Sequence, residues 1–249
     1  MSAALETRGL CKSFGALTVA ENIEFRLEAG ARHALIGPNG AGKTTFVNML
    51  TGRLRPSAGA ILLDGEDITR LAQAARVKRG LGRTFQINTL FGELSVLDNV
   101  ALGIAERRGI GGRMWRQAGA YREVRDEALE GLARLGLADV AGRRLLDLPY
   151  GKQRLVEIAI ALSLEPKVLL LDEPAAGVPS GEVERVLEVL AGLPAEVAIL
   201  IIEHDMNIVF RFAQRITVLV RGQVLCEGAP VEIAADPRVL EVYLGNEHG

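Results

Sequence analysis

The sequence predicts an α/β protein with a mixed, mainly parallel sheet, an antiparallel β part and an inserted helical subdomain. Segments 5–10 and 22–28 and the turn at 221–223 have the pattern of antiparallel hairpins. Between 87 and 164 strand signals are absent and apolar residues recur at helical spacing. Elsewhere short apolar runs alternate with helix-like segments, as in parallel sheets covered by helices. These runs lie at 34–37, 60–64, 168–172, 197–202 and 216–220.

The chain is predicted to form a single domain over residues 1–249. Residues 1–86 and 165–249 form the predicted core, and residues 87–164 form the helical insertion. A chain of 249 residues is long enough to bury a substantial core. We assign catalysis to the core and one further motif, described below, to the insertion.

Composition excludes several classes of protein. The 29 Lys and Arg residues nearly balance the 31 Asp and Glu, for a net charge of −2, so no nucleic-acid partner is expected. Two cysteines, Cys11 and Cys226, are too few for a disulfide framework and indicate a reducing compartment. The longest apolar runs are far shorter than the roughly 20 residues that span a bilayer. We expect a soluble protein, for which docking on a membrane protein remains open.

The segment GPNGAGKTT, residues 37–45, matches the phosphate-binding pattern GxxxxGK[ST]. It follows an apolar run, ALIG, and precedes an apolar helical stretch, FVNML, as the motif requires. Its glycines let backbone N–H groups converge, and the helix adds its positive N-terminal end. We predict a P-loop NTPase core in which Lys43 reaches the β- and γ-phosphates and Thr44 ligates Mg²⁺. The alternative is a Gly-rich turn with a chance lysine. The predicted nucleotide contacts are Asn39, Gly40, Ala41, Gly42, Lys43, Thr44 and Thr45.

Another strand tip carries two adjacent carboxylates. The apolar run in VLLLDEP, residues 168–174, ends at Asp172, and parallel sheets present ligands at the ends of their strands. We predict that Asp172 holds the Mg²⁺ shell and that Glu173 polarises an attacking water as general base. The alternative for adjacent carboxylates is a helix cap or a solvated turn.

Two polar residues follow other strand-like segments. Gln86, in RTFQ, lies where the core gives way to the helical insertion, and its amide can touch Mg²⁺ or water. His204, in IIEHD, follows an apolar run and can donate to the γ-phosphate. We count both among the predicted catalytic residues, with Glu173 and Lys43. For each the alternative is a purely structural role.

The stretch LPYGKQ, residues 148–153, runs directly into the helical pattern RLVEIAIALSL. Pro and Gly are ordinary at the start of a helix. Local sequence therefore leaves two alternatives, a simple turn or a helix N-terminus that meets an anion.

Taken in order, GPNGAGKTT, RTFQ, LPYGKQ, VLLLDEP and EHD resemble the nucleotide motifs of ATP-binding cassette (ABC) ATPases, over essentially the whole chain. RTFQ, LPYGKQ, DEPAAG and IIEHDM are similar in particular to the ATPase subunits of branched-chain amino acid importers and their relatives for urea and aromatic acids. The resemblance implies a subunit that binds ATP and Mg²⁺ and hydrolyses ATP to power a membrane importer.

In this family the segment matching LPYGKQ is a signature loop, which donates backbone N–H groups to the γ-phosphate of a nucleotide on the opposite subunit. The sequence departs here from the family's general LSGGQ pattern. Lys152 either adds charge near the partner's nucleotide or points to solvent. The implied contacts are Pro149, Tyr150, Gly151 and Lys152.

The resemblance assigns two more positions. Phe14, in KSFG, matches the aromatic that stacks on adenine, with a core aromatic as the alternative. Pro179 stands where the family usually has an aspartate, so the cross-dimer contact made by that carboxylate is in doubt here.

The implied partners follow from the family. We expect a homodimer, or a heterodimer with a paralogous ABC ATPase, that sandwiches two ATP molecules. It would drive two membrane permease subunits, served indirectly by a solute-binding protein, at the cytoplasmic face of the inner or plasma membrane. The segment 87–100 is a candidate permease contact, where Leu90, Phe91 and Leu94 either line a groove or pack in the core.

Three alternative hypotheses remain. In the first, the importer carries urea or an aromatic acid rather than a branched-chain amino acid. In the second, the chain is a non-transport cassette that acts on DNA or ribosomes. Its near-neutral charge and the lack of a long coiled coil argue against this hypothesis. In the third, the chain is a P-loop kinase that phosphorylates a small molecule. Such kinases need neither a signature loop nor a base directed at water.

Overall fold

A computed structural model describes residues 3–84, 91–110 and 118–244. The strands are β1 (Ala3–Phe14), β2 (Leu17–Glu28), β3 (Arg32–Ile36), β4 (Ala58–Leu63), β5 (Glu66–Asp67), β6 (Leu81–Arg83), β7 (Val168–Asp172), β8 (Ala198–Ile202), β9 (Arg215–Val220) and β10 (Gln223–Gly228). The helices are α1 (Lys43–Leu50), α2 (Gln73–Lys78), α3 (Val96–Arg107), α4 (Ala118–Arg134), α5 (Tyr150–Ser163), α6 (Ser180–Ala191), α7 (Met206–Phe212), α8 (Pro230–Ala235) and α9 (Pro237–Leu244).

The strands form two sheets. One is antiparallel, in the order β2-β1-β4-β5, and the other has the order β10-β9-β3-β8-β7-β6. In the second sheet β9, β3, β8 and β7 run parallel, while β10 returns antiparallel to β9. The predicted α/β class with a mixed, mainly parallel sheet is confirmed. The run at 60–64 is the exception, because as β4 it pairs antiparallel with β1 instead of joining the parallel sheet.

Register places the carboxyl ends of three parallel strands side by side. Ile202, the last residue of β8, is opposite Leu35 of β3 and Asp172 of β7. These strands are buried almost throughout, as expected for a sheet covered on both faces. Residues that directly follow them therefore meet at one edge of the sheet.

One hydrophobic core is formed by side chains of both α1 and the antiparallel sheet. Alternate side chains of β2, such as Ile23, Phe25 and Leu27, are buried while the residues between them face outward. Phe25 packs edge-to-face on Phe46 of α1, with ring centroids 5.5 Å apart. Packing of these two rings holds α1, the helix that begins at the end of the P-loop, against β2.

The described residues divide into two compact units. The first comprises the residues up to Leu81, Lys167–Glu173 and the residues from Pro194 onward. The second comprises Gly82–Pro166 and Pro174–Leu193, and it includes α6, which the sequence grouped with the core. In the described part of the chain, no helix is both long and apolar enough to cross a membrane.

Candidate functional site

The P-loop connects β3 to α1. Gly42 is the N-cap of α1 with φ of 100°, and no described side chain caps the first turn. The N–H groups at this end are therefore directed beyond the helix, where an anion is favoured. Gly37 passes so close to β9 that a Cβ on it would lie 2.1 Å from the Leu219 carbonyl oxygen. A Cβ on Gly40 would meet nothing within 4 Å, so this side of the loop is open.

Lys43 folds back across the loop that carries it. Its Nζ donates to the carbonyl oxygens of Gly37 at 2.6 Å and Pro38 at 3.0 Å. Burial lowers the pKa of Lys43, while the Glu173 and Asp172 carboxylates raise it. The ammonium and both carboxylates therefore share one electrostatic environment at the edge of the parallel sheet.

Glu173 is held in an unusual backbone conformation. It has φ of 47° and its N–H donates to the Ile202 carbonyl oxygen at 2.9 Å. A non-glycine residue in the left-handed region costs about 1–3 kcal/mol and is found often at functional sites. The hydrogen bond ties the turn after β7 to the end of β8.

His204 lies beside this turn. Its Nδ1 is 3.5 Å from Glu173 Oε1, and both side chains are largely exposed. We name Lys43, Asp172, Glu173 and His204 the strand-end cluster. Asp172 ends β7 and Glu173 follows it, His204 comes two residues after the end of β8, and Lys43 begins α1 after the P-loop. The sequence predicted all four residues of the cluster.

Glu203 is a neighbour of the cluster that sequence reasoning missed. It is 2% exposed, its Oε2 accepts from the His204 N–H at 3.2 Å, and the same oxygen lies 3.9 Å from His204 Nδ1. His204 Nδ1 thus faces two carboxylates. A carboxylate that ends a continuous apolar run, as in IIEHD, was the available signal.

Phe14 ends β1 and is not a core aromatic. Its side chain is 51% exposed, and the Lys12 ammonium lies 4.9 Å from the ring centroid. An exposed ring with a cation on its face is available to stack on a flat ligand.

LPYGKQ forms the start of α5, in the second unit. Pro149 is the N-cap, with φ of −55°, and no described side chain caps the first turn. Lys152 is at the surface, where its ammonium is 2.8 Å from the Asp139 carboxylate. The segment Pro149–Lys152, named the signature segment below, thus presents an uncapped helix N-terminus.

The start of α6 packs against the signature segment. A Cβ on Gly177 would lie 3.1–3.4 Å from atoms of the Tyr150 ring, and the Arg154 guanidinium lies 5.2 Å from that ring's centroid. A Cβ on Gly151 would lie only 2.0 Å from Glu182 Oε2. Pro179, at the position of the family's aspartate, is the N-cap of α6.

Four predicted positions lie in or near the segment that leads to α3. Gln86 and Leu90 lie outside the described residues. Phe91 and Leu94 are exposed, at 63% and 37%, so neither packs in the core. They leave apolar surface next to the start of α3.

The donors of the strand-end cluster fit a nucleotide carrying Mg²⁺ better than a resident metal. Among the described residues, no three His, Cys, Asp or Glu side chains are grouped to hold a metal by themselves. Mg²⁺ ordinarily takes one or two protein oxygens and completes its shell with phosphates and water. The Asp172 carboxylate and the Thr44 hydroxyl would supply two such oxygens, and the N–H groups of the P-loop would bind the phosphates.

Known proteins resemble this chain along its length. A family model described as an ABC transporter matches residues 20–176, and one described as a branched-chain amino acid ATP-binding cassette transporter matches residues 223–249. The high-affinity branched-chain amino acid transport ATP-binding protein BraF of Pseudomonas aeruginosa is 37% identical over 97% of each chain. LivG of Escherichia coli, of the same description, is also 37% identical over 97% of each chain.

Solved structures share the fold. MJ1267, an ATP-binding cassette of an ABC transporter in its ADP conformation, matches 98% of this chain and 99% of its own with a TM-score of 0.86 and 31% identity. The cassette MJ0796, a dimer bound to ADP and phosphate, matches 91% of this chain and 98% of its own with a TM-score of 0.76 and 25% identity. The predicted family is confirmed: the chain belongs to the ATP-binding cassette transporter family.

Proposed function

We propose that this chain is the ATP-hydrolysing subunit of a membrane importer for branched-chain amino acids. The observation that carries the proposal is the strand-end cluster, which brings Lys43, two carboxylates and a histidine to one edge of the parallel sheet. The solute class is supported by the descriptions of BraF and LivG and by the match over residues 223–249.

The P-loop binds the phosphates of ATP. Its N–H groups and the Lys43 ammonium contact the β- and γ-phosphate oxygens, and Lys43 exchanges its bonds to the loop carbonyls for bonds to phosphate. The loop contacts are Asn39, Gly40, Ala41, Gly42, Lys43, Thr44 and Thr45. Thr44, Asp172 and Gln86 hold Mg²⁺, which neutralises charge on the phosphates when bound.

Glu173 is the general base that orients and deprotonates the attacking water. Its largely exposed carboxylate and its fixed, left-handed backbone favour a defined direction toward the P-loop edge of the sheet. His204 orients the Glu173 carboxylate and donates to the γ-phosphate. Phe14 stacks on the adenine from its exposed position at the end of β1.

The signature segment acts on the nucleotide of a second subunit. Pro149, Tyr150, Gly151 and Lys152 present the uncapped end of α5 to the γ-phosphate. The partner is a second copy or a paralogous ABC ATPase. The dimer works on two permease subunits at the cytoplasmic face of the membrane, and a solute-binding protein delivers the solute to them.

Uptake measurements test the solute. Cells of the native host carry the intact chain, the Lys43→Ala variant or Lys167→Ala, an exposed lysine paired with Asp64 that serves as the matched control. Uptake of labelled leucine, urea and an aromatic acid is then followed. We expect Lys43→Ala to abolish leucine uptake alone and Lys167→Ala to change none.

If Lys43→Ala abolished uptake of a different solute, that solute would be the substrate and the transport role would stand. Normal uptake of all three in Lys43→Ala cells would contradict the transport role, and phosphate transfer to a small molecule would then point to a kinase.

A further inference from the structure

We propose that the Glu182 carboxylate, which lies against Gly151 of the signature segment in the free subunit, repels the γ-phosphate of the partner nucleotide and so raises the ATP concentration at which two subunits close. This inference deepens the proposed function and rests on it. It concerns a residue of α6 that lies outside all the nucleotide motifs in the sequence.

The geometry is a direct contact with the signature glycine. Glu182 Oε2 takes the space that a Cβ on Gly151 would fill, 2.0 Å from that ideal position, and Cβ and Cδ of Glu182 are 3.2 Å from it. Gly151 is buried in the first turn of α5. The carboxylate thus lies against the backbone that a phosphate would need to approach.

The position favours an anion. No described side chain caps α5, so its first N–H groups and the helix dipole attract negative charge. Glu182 supplies that charge from the first turn of α6, a helix that packs on α5 within the same unit. The carboxylate thus places a negative charge beside this end of α5 without accepting from its N–H groups.

The carboxylate is also free to leave. Within the described ranges it has no hydrogen-bond or ion-pair partner that would hold it. Two other carboxylates of this unit, Glu188 and Asp139, by contrast are paired, with Arg185 and Lys152. Glu182 repels a γ-phosphate that approaches Gly151 until the Glu182 side chain rotates away. Closure of the dimer therefore requires a higher ATP concentration than it would with an uncharged residue at position 182.

The test compares ATP-dependent dimer formation in full-length chains. Glu173→Gln is the parent, because loss of the base is expected to let closed dimers accumulate. Glu182→Gln is added to it as a near-isosteric change that removes the charge. Glu188→Gln, an exposed residue on the same helix, is the matched control. Sedimentation velocity gives the dimer fraction against ATP concentration, and binding of ATP to dilute monomers is measured separately.

We expect Glu182→Gln to lower the ATP concentration at half-dimerisation by roughly 3- to 10-fold, with unchanged monomer affinity and no effect of Glu188→Gln. An unchanged or raised midpoint in Glu182→Gln overturns the role of Glu182 and leaves the proposed function intact. If no variant dimerises with ATP, the two-subunit site fails for this chain, and the Glu182 inference fails with it.

Discussion

The strand-end cluster and the signature segment both meet phosphate in the proposed function, but they are built differently. The cluster gathers side chains from residues far apart in sequence, because parallel register brings Leu35, Ile202 and Asp172 level. The signature segment is continuous in sequence and offers mainly backbone N–H groups at the start of α5. The first region supplies chemistry, and the second supplies an anion site without a base.

Because of this difference, the two regions should tolerate different kinds of amino-acid substitution. In the proposed function, the identity of one side-chain atom of Glu173 decides the reaction, and the backbone that carries it is tied to the end of β8 by a hydrogen bond. In the signature segment the backbone itself is the functional group, so the shape of its neighbours matters most. Substitutions in the two regions should therefore affect different measurements.

The largest expected effect is on turnover in the Glu173→Gln variant. Loss of the general base should lower the rate of phosphate release by roughly 10²- to 10⁴-fold. ATP affinity should remain, since Gln keeps the size of the side chain and carries the same backbone strain at φ of 47°. The measurement is phosphate release together with equilibrium binding of ATP.

Glu196→Gln is the matched control for that experiment. Glu196 is exposed in the loop before β8, at the opposite end of the parallel strands, and its turnover should equal that of the unmodified chain. Equal turnover in Glu173→Gln would remove Glu173 from the mechanism and leave the cluster as a binding site only.

The next effect is on stability, at Gly37. A Cβ there would lie 2.1 Å from the Leu219 carbonyl oxygen, and a backbone atom of β9 cannot move aside without breaking the sheet. The glycine also has φ of 153°, which an L-residue rarely adopts. Gly37→Ala should lower the free energy of unfolding by about 2–4 kcal/mol, measured by urea denaturation.

Gly40→Ala is the control for Gly37→Ala, because a Cβ at Gly40 meets no atom within 4 Å. Only the strain of its positive φ, 78°, should appear, at about 1 kcal/mol. Equal losses in the two variants would mean that the close approach to β9 has no energetic consequence.

The strand-end cluster was predictable because each of its members follows an apolar run that local sequence identifies. A pattern such as VLLLDEP predicts both the buried strand and the exposed residue at its end. Pairing between strands is harder to predict, and β4 is the example. Its run resembles those of the parallel strands, but only tertiary pairing with β1 decides its sheet.

The contacts of the signature segment were not predictable in the same way. Glu182 and Gly151 are 31 positions apart, on two helices, and nothing in LPYGKQ or in the start of α6 specifies that they touch. The family resemblance indicated the use of the loop, but only packing of α6 on α5 reveals what occupies it. Side-chain contacts between helices depend on the crossing geometry, which sequence periodicity leaves open.

The two units should also differ in their pH dependence. In the first unit, burial lowers the pKa of His33 to about 4 from 6.5, so its stabilising contribution is present above pH 6.5 and is lost as pH falls toward 4. In the second unit, burial raises the pKa of Glu157 to about 7 from 4.5, so its contribution is present below pH 4.5 and is lost as pH rises toward 7. Each amounts to at most about 3 kcal/mol.

Urea denaturation between pH 4.5 and 7 separates the two groups. Relative to the unmodified chain, Glu157→Gln should gain free energy of unfolding as pH rises, whereas His33→Gln should gain it as pH falls. His33 also accepts or donates a bond to Thr217 Oγ1 at 2.8 Å, so a constant offset is expected in that variant. Parallel pH profiles for the two variants would contradict the opposite signs.

The smallest effect is expected at Gly151, and it completes the comparison with Gly37. Both glycines have a close neighbour, but at Gly151 the nearest atom is the end of a flexible side chain, Glu182 Oε2, instead of a backbone carbonyl. The Glu182 Cβ, at 3.2 Å, has to give way by only a few tenths of an ångström. Gly151→Ala should therefore change the free energy of unfolding by less than about 1 kcal/mol, because the carboxylate rotates away and the helix gains from alanine. In a Glu182→Ala background, which removes Oε2 and Cδ but keeps the Cβ at 3.2 Å, the same substitution should cost less than in the unmodified chain. A loss as large as that at Gly37 in urea denaturation would mean that Glu182 is rigid, and the signature segment would then resemble the strand-end region in being fixed by its neighbours.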